Sequence, residues 1–287
     1  MKLVTVTHRG TMRLGALIAR AAQNYILDLN RAQPDLPTDM LQFLQAGDDA
    51  LAAAQRAAAR ADERALIPLA EAALLAPVPR PGKIICIGHN YHGHTGATPP
   101  AYPDIFAKFN NVVIGHRQPI VVTRASDKVD YEGELAIVIG KRAKYVDQAH
   151  ALDFVAGYTI FNDVTARDFQ SRTTQWTLGK SFDTFGPMGP ALVTKDEIQD
   201  PGVLDLSLTL NGQEMQRANT RQLIFPIPFL IECITQAITL EPGDVISTGT
   251  PSGTGASQKP PVFMKPGDEV RVRIEKIGEL VNPVVSE

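Results

Sequence analysis

Cysteine is almost absent. The 287 residues hold two, Cys86 and Cys233, each inside an apolar run (KIICIG and FLIECIT). Isolated thiols of this kind exclude a disulfide framework and read as small buried hydrophobes of a reducing compartment. Charge of one sign is equally scarce. A net charge of −3, with no basic cluster anywhere, argues against nucleic-acid and membrane partners. No apolar run approaches the length of a membrane span, and the opening MKLVTVTHRG lacks an apolar signal core. A cytoplasmic protein is therefore expected. Neither common type of glycine-rich phosphate loop occurs.

What is there divides in two. MKLVTVT and YILDLN predict short strands, with RLGALIARA separating them. TDMLQFLQAG and DDALAAAQRAAARADERALIPLAEAALL then carry Ala and Leu at helical spacing, and Asp48 and Asp49 suit the start of the second helix. The run APVPRPGK (76–83) breaks that pattern with three prolines and a glycine. It sets the expected boundary between a small N-terminal domain, 1–75, and a main domain, 76–287. From residue 83 onward short strands are bounded by Gly and Pro, among them KIICIG, YEGELAIVIG, VAGYTIFN, LDLSLTLNGQ and EVRVRIEKIG. LNGQ adds the hairpin signal Asn211-Gly212, and one helix, FPIPFLIECITQAIT, interrupts the series. The expected class is α+β, mainly β, closer to a roll or sandwich than to a doubly wound sheet.

The stretch VDYEGELAIVIG (129–140) places Asp130, Glu132 and Glu134 at alternate positions. Strand side chains alternate faces, so Glu132 and Glu134 share one, with Cβ atoms roughly 6–7 Å apart. Either that face is solvated and pairs with Lys or Arg, or a cation lies between the carboxylates. For an E-x-E pattern alone, the solvated face is the commoner case. Asp163 ends the apolar run VAGYTIFN at a strand exit, where an aspartate most often caps a turn. Arg167, Asp168 and Gln170 follow it, Lys180 lies in a glycine-bounded loop, and ISTGTPSGTG surrounds Thr250 with small residues. Such a loop lets a ligand approach backbone N–H groups. Three carboxylates without cysteine partners suit a hard cation such as Mg²⁺, Mn²⁺ or Ca²⁺.

Taken in order, ICIGHNYHGH (85–94), PDIFAKF (103–109), VDYEGELAIVIGK (129–141), GYTIFNDVTARDFQ (157–170), KSFDTFGPMGP (180–190), LNGQEMQ (210–216) and LEPGDVISTGTPSGTG (240–255) resemble the fumarylacetoacetate hydrolase family. The resemblance spans nearly the whole chain. It implies a mixed β-sandwich roll with a small N-terminal α+β domain, and a homodimer. It also implies a site for Mg²⁺ (or Mn²⁺) held by Glu132, Glu134 and Asp163. By the same resemblance Lys180 contacts a carboxylate or enolate oxygen of the substrate, and Arg167, Gln170 and Thr250 line its pocket. The substrates implied are small 2-oxo or diketo acids, whose adjacent oxygens chelate a divalent ion.

One position departs from the family's pattern. Its hydrolases pair the histidine of N-Y-x-x-H with a glutamate three residues on. Here Asn90, Tyr91 and His94 fit, but residue 97 is alanine. His94 is expected to serve as catalytic base or proton donor. His89 and His92 read as structural and His116 as a turn residue. The leading expectation is a metal-dependent hydrolase cleaving a C–C bond in a diketo acid or acylpyruvate, in catabolism of aromatic compounds or sugars. Ala97 favours the alternative, an isomerase or decarboxylase of a 2-oxo acid such as a hydroxymuconate-type isomerase or oxaloacetate decarboxylase. A non-catalytic metal-dependent binding module is the lesser alternative.

Overall fold

The structure, a computed structural model, describes residues 1–20, 23–93 and 99–287. His94 and Ala97 lie outside the described residues. Among the latter, a twelve-stranded mixed sheet forms the frame of an α+β, mainly β fold. Its central strand, Gly133–Ile139, lies antiparallel between Val155–Asn162 and Val245–Ser247. Every residue of Gly133–Ile139 is buried, which explains the unbroken apolar run LAIVI: both faces of this strand are covered. On one side the sheet continues through Ile84–Gly88, parallel to Val245–Ser247, to the edge strand Asp104–Lys108. On the other side it passes through Val155–Asn162 to Gly186–Thr194.

The N-terminal strands extend this same sheet. Lys2–His8 pairs antiparallel with Gly186–Thr194 through Lys2↔Val193 and Leu3↔Leu192. Thr11–Arg20, Gln23–Asp28 and Leu66–Pro68 follow in order. RLGALIAR (13–20) is thus strand rather than spacer, because Gly15 and Ala16 complete a ladder between Lys2–His8 and Gln23–Asp28. The Ala-rich helix Gly47–Arg60 buries Ala50, Ala54 and Ala57, and stops at Ala61 in a left-handed conformation (φ 42°). The helical spacing seen beyond it resolves into short turns and the strands Leu66–Pro68 and Ala73–Leu74.

A five-stranded sheet, including the hairpin Asp205–Leu210 with Gln213–Asn219, packs over the central strands. Its turn is Asn211-Gly212, both residues at positive φ (53° and 79°), as an Asn-Gly hairpin requires. Helix Ile227–Ala237 opens on Pro226 and buries Ile227, Leu230, Ile231 and Ile234, one apolar stripe at helical spacing. No helix among the described residues is long and apolar enough to cross a membrane.

Candidate active site

Glu134 stands on the central strand, but Tyr131 and Glu132 interrupt the ladder before it. Side chains replace the missing ladder bonds: Glu132 N donates to Asn162 Oδ1 at 2.9 Å and Gly133 N to Gln216 Oε1 at 2.9 Å. Asp163 leaves the neighbouring strand at the same level, its N donating to Glu132 O at 2.8 Å. Glu132, Glu134 and Asp163 therefore converge, one carboxylate oxygen from each lying within 4.8 Å of the others, and all three residues are buried.

Cations surround them. Lys180 Nζ donates to Glu132 Oε2 and Asp163 Oδ2, both at 2.7 Å. Lys108 Nζ donates to Asp163 Oδ1 at 2.5 Å and to Val164 O at 3.0 Å. Arg167 spans Glu132 Oε1 at 2.7 Å and Asp130 Oδ2 at 2.8 Å, and its Nη1 donates to Gln170 Oε1 at 3.1 Å. Lys180 reaches the site because helix Thr177–Lys180 packs tightly on Arg167–Gln170. A Cβ on Gly179 would come within 2.5 Å of Gln170 N and 2.8 Å of Ala166 O.

The electrostatics separate the three acids. Burial pushes the Glu132 carboxyl up, but Lys180 and Arg167 more than offset it and hold it down at about 2. Glu134 goes the other way: burial raises its pKa, and the charges of Asp163 and Glu132 raise it further. Its partners are the Ser247 hydroxyl at 2.6 Å and Gly249 N at 2.9 Å, and among the described residues it makes no ion pair. Burial opposes the charge on Lys180, yet Asp163 and Glu132 keep its pKa raised. Burial of Lys108 wins instead, and its pKa is lowered.

These observations fit a hard divalent cation. The donor set is all carboxylate, without the His or Cys that zinc prefers. Among the described residues four carboxylates (Asp130, Glu132, Glu134, Asp163) meet three cations (Lys108, Arg167, Lys180), and the acid without an ion pair is the one held among like charges. A cavity of about 100 Å³ opens onto the cluster and is lined by Arg167, Gln170, Lys180 and Thr250 among others. The Thr250 hydroxyl accepts from Gln216 Nε2 at 2.8 Å and donates to Gly133 O at 3.1 Å.

Every described residue singled out for the site is thus brought together. The sequence reading missed five contributors. Lys108 and Asp104 lie in the quoted stretch PDIFAKF without a role drawn from it. His89 was read as structural, yet it lines the cavity, as does Trp176. Asp130 anchors Arg167 and accepts from Gly255 N and Ala256 N at 2.7 and 2.9 Å, tying the Thr250 loop to the site.

Residues 83–285 match the family described as fumarylacetoacetate (FAA) hydrolase C-terminal. The mitochondrial oxaloacetate tautomerase Fahd2a of Rattus norvegicus is 47% identical over 264 residues, covering 91% of this chain and 84% of its own length. The mitochondrial oxaloacetate tautomerase FAHD2A of Homo sapiens is 45% identical over 265 residues, with coverage of 91% and 84%. A mitochondrial relative does not fit a strictly cytoplasmic placement. Among solved structures, 5-carboxymethyl-2-hydroxymuconate delta-isomerase from Mycobacterium smegmatis has a TM-score of 0.81 at 35% identity, covering all of both chains. Maleylpyruvate hydrolase from Sphingobium sp. SYK-6, in complex with manganese(II) ion and pyruvate, has a TM-score of 0.83 at 34% identity, covering 100% of this chain and 99% of its own. These relatives are isomerases and hydrolases acting on small acids. With the central strands of its main sheet, its clustered acids and most of its length inside the match, the chain belongs to the fumarylacetoacetate hydrolase family.

Proposed function

We propose that this protein is a divalent-metal-dependent isomerase that interconverts the keto and enol forms of a small 2-oxo acid, with oxaloacetate the first candidate. The observation that carries the reading is the buried ammonium of Lys180 among three converging carboxylates at the floor of a small polar cavity. A volume of about 100 Å³ lies far below the roughly 300–1,000 Å³ of sites for drug-sized ligands, and suits a short acid. The relatives with the highest identities quoted above are named oxaloacetate tautomerases. Ala97, standing where family hydrolases carry glutamate, supports the same direction, since enolisation needs no water nucleophile.

Glu132, Glu134 and Asp163 would hold Mg²⁺ or Mn²⁺. When bound, the ion would polarise a carbonyl and stabilise an enolate as a Lewis acid. Lys180 holds fixed positive charge where the enolate oxygen would develop its own negative charge. Arg167, kept in place by Asp130 and flanked by Gln170, offers a guanidinium to the substrate's carboxylate, and Thr250 lines the same cavity. His94 stays a candidate base on the family's pattern.

Hydrolysis of a diketo acid is the second reading, favoured by the likeness to maleylpyruvate hydrolase. Purified Mg²⁺-loaded protein, followed by the ultraviolet band of enol-oxaloacetate, separates the two. EDTA-sensitive acceleration of enol decay without pyruvate or CO₂ release supports the tautomerase. Cleavage of an acylpyruvate with oxaloacetate left at its spontaneous rate would replace it with the hydrolase.

A further inference from the structure

We propose that His89, oriented by Asp104, is a proton-transfer residue of this cavity. It would take and return the proton on the carbon next to the substrate's carbonyl; this rests on the keto–enol reading above. His89 Nδ1 lies 2.7 Å from Asp104 Oδ2. The pairing is built into the sheet edge. Strand Ile84–Gly88 runs antiparallel to Asp104–Lys108 with Gly88 opposite Asp104, so the residue after Gly88 falls beside the carboxylate. The backbone of His89 is left-handed (φ 53°), an uncommon conformation for any residue but glycine.

Trp176 completes the arrangement. Its ring stands edge-on to the His89 imidazole, with centroids 5.4 Å apart and planes at 87°. It meets Phe106 at 5.3 Å, and Phe106 in turn lies 5.0 Å from Lys180 Nζ. Only a glycine at 88 admits this ring: a Cβ there would come within 2.5 Å of Trp176 Cζ3. The imidazole is thereby set into the wall of the same cavity as Glu132, Lys180 and Arg167. The pair His150–Asp147 makes a similar 2.8 Å contact away from that cavity, and supplies an internal control.

The chemistry follows from the contact. Asp104 accepts the Nδ1 proton, which makes Nε2 the basic nitrogen and stabilises the imidazolium once it forms. Nε2 takes the proton, and the C–H electron pair becomes the C=C bond of the enolate. The carbonyl oxygen gains the negative charge beside Lys180 and is protonated by water, while the imidazolium returns its proton to water. The reverse sequence rebuilds the keto acid, so no oxidant or co-reactant is consumed. Asp104 acts through His89 and is a positioning residue.

The test uses the full chain loaded with Mg²⁺. His89→Gln should lower kcat for keto–enol interconversion by about 100-fold and leave KM little changed. Asp104→Asn should lower kcat in the same direction, Asp104→Glu should restore part of it, and His150→Gln should match the parent protein. A second readout does not need turnover. Oxalate, an enolate mimic, should move the ¹⁵N resonance of His89 Nε2 in the Mg²⁺-loaded protein and much less in Asp104→Asn. Parent-like kcat in His89→Gln, or His89 resonances unmoved by oxalate, would overturn the proposal. If the parent protein fails to tautomerise oxaloacetate, the functional reading falls, and the oxalate titration alone then decides whether His89 meets the ligand.

Discussion

Glu134 is the side chain on which the balance between stability and metal affinity turns. Glu132 and Asp163 each have a lysine within 2.7 Å, whereas among the described residues Glu134 has a hydroxyl and a backbone amide as its hydrogen-bond partners and no ion pair. Glu134→Gln keeps an acceptor for both donors and removes a buried acid whose charged form burial and its neighbours disfavour. The fold should survive in EDTA with unchanged or slightly higher stability, while Mn²⁺ binding by calorimetry should vanish. Retained Mn²⁺ heat in that variant would remove Glu134 from the proposed ligand set. Lys108 poses the opposite case. It and Asp163 are both fully buried, so Lys108→Met strands a carboxylate oxygen. The expected cost is roughly 3–5 kcal/mol, the usual penalty for breaking a buried pair, read by urea denaturation in EDTA. Neither Lys108 nor the His89–Asp104 pair was assigned from sequence. Their partners come from distant positions, Lys108 and Asp163 being 55 residues apart, and no local periodicity encodes such a contact.

At the scale of elements, the short helix Thr177–Lys180 delivers the site's central cation. Gly179→Ala would press a methyl group against the backbone of Gln170 and Ala166. Overpacking of this kind costs about 1–3 kcal/mol. A shift of Lys180 should also lower kcat far more than the loss of stability alone would explain, checked by kinetics at a temperature well below Tm. The turn at His116 makes a pH prediction. Burial lowers its pKa, with Arg117 and Arg271 adding to the effect, and its Nδ1 accepts from Val281 N at 3.2 Å. The unfolded chain therefore takes up a proton first as pH falls below the ordinary value of 6.5. Stability from this group is full above that pH and is lost below it, by on the order of 1 kcal/mol, the worth of one hydrogen bond. His116→Gln should flatten this part of the pH profile, measured by denaturation between pH 7.5 and 5 (roughly one unit or more either side of the histidine range).

For the whole molecule, the boundary at 76–83 is a proposal with a structural consequence. Residues 1–75 supply Lys2–His8, which covers Gly186–Thr194. A fragment of residues 76–287 would expose that ladder as an open edge. It should aggregate or associate where the full chain does not, as light scattering would show. The same measurement on the full chain should give twice the 31.1 kDa chain mass if the homodimer implied by the family resemblance forms.

The strand pattern after residue 83, the Asn211-Gly212 hairpin, the helix after Pro226 and the acids at 132, 134 and 163 were all legible in the sequence. Each depends on local spacing or on motifs in a fixed order. RLGALIARA and the stretch after Arg60 were not, because apolar residues at those intervals serve helix and strand equally, and flanking ladders decide between them. The sign of the E-x-E pattern was undetermined for the same reason. Spacing placed Glu132 and Glu134 near one another, but only tertiary structure decided that the face is buried. It also decided which lysines reach that face, and that among the described residues Glu134 has no ion-paired cation of its own. Burial and the partnering of charges arise from segments far apart in the chain, and it is the desolvation they impose that turns three acids into a candidate metal site.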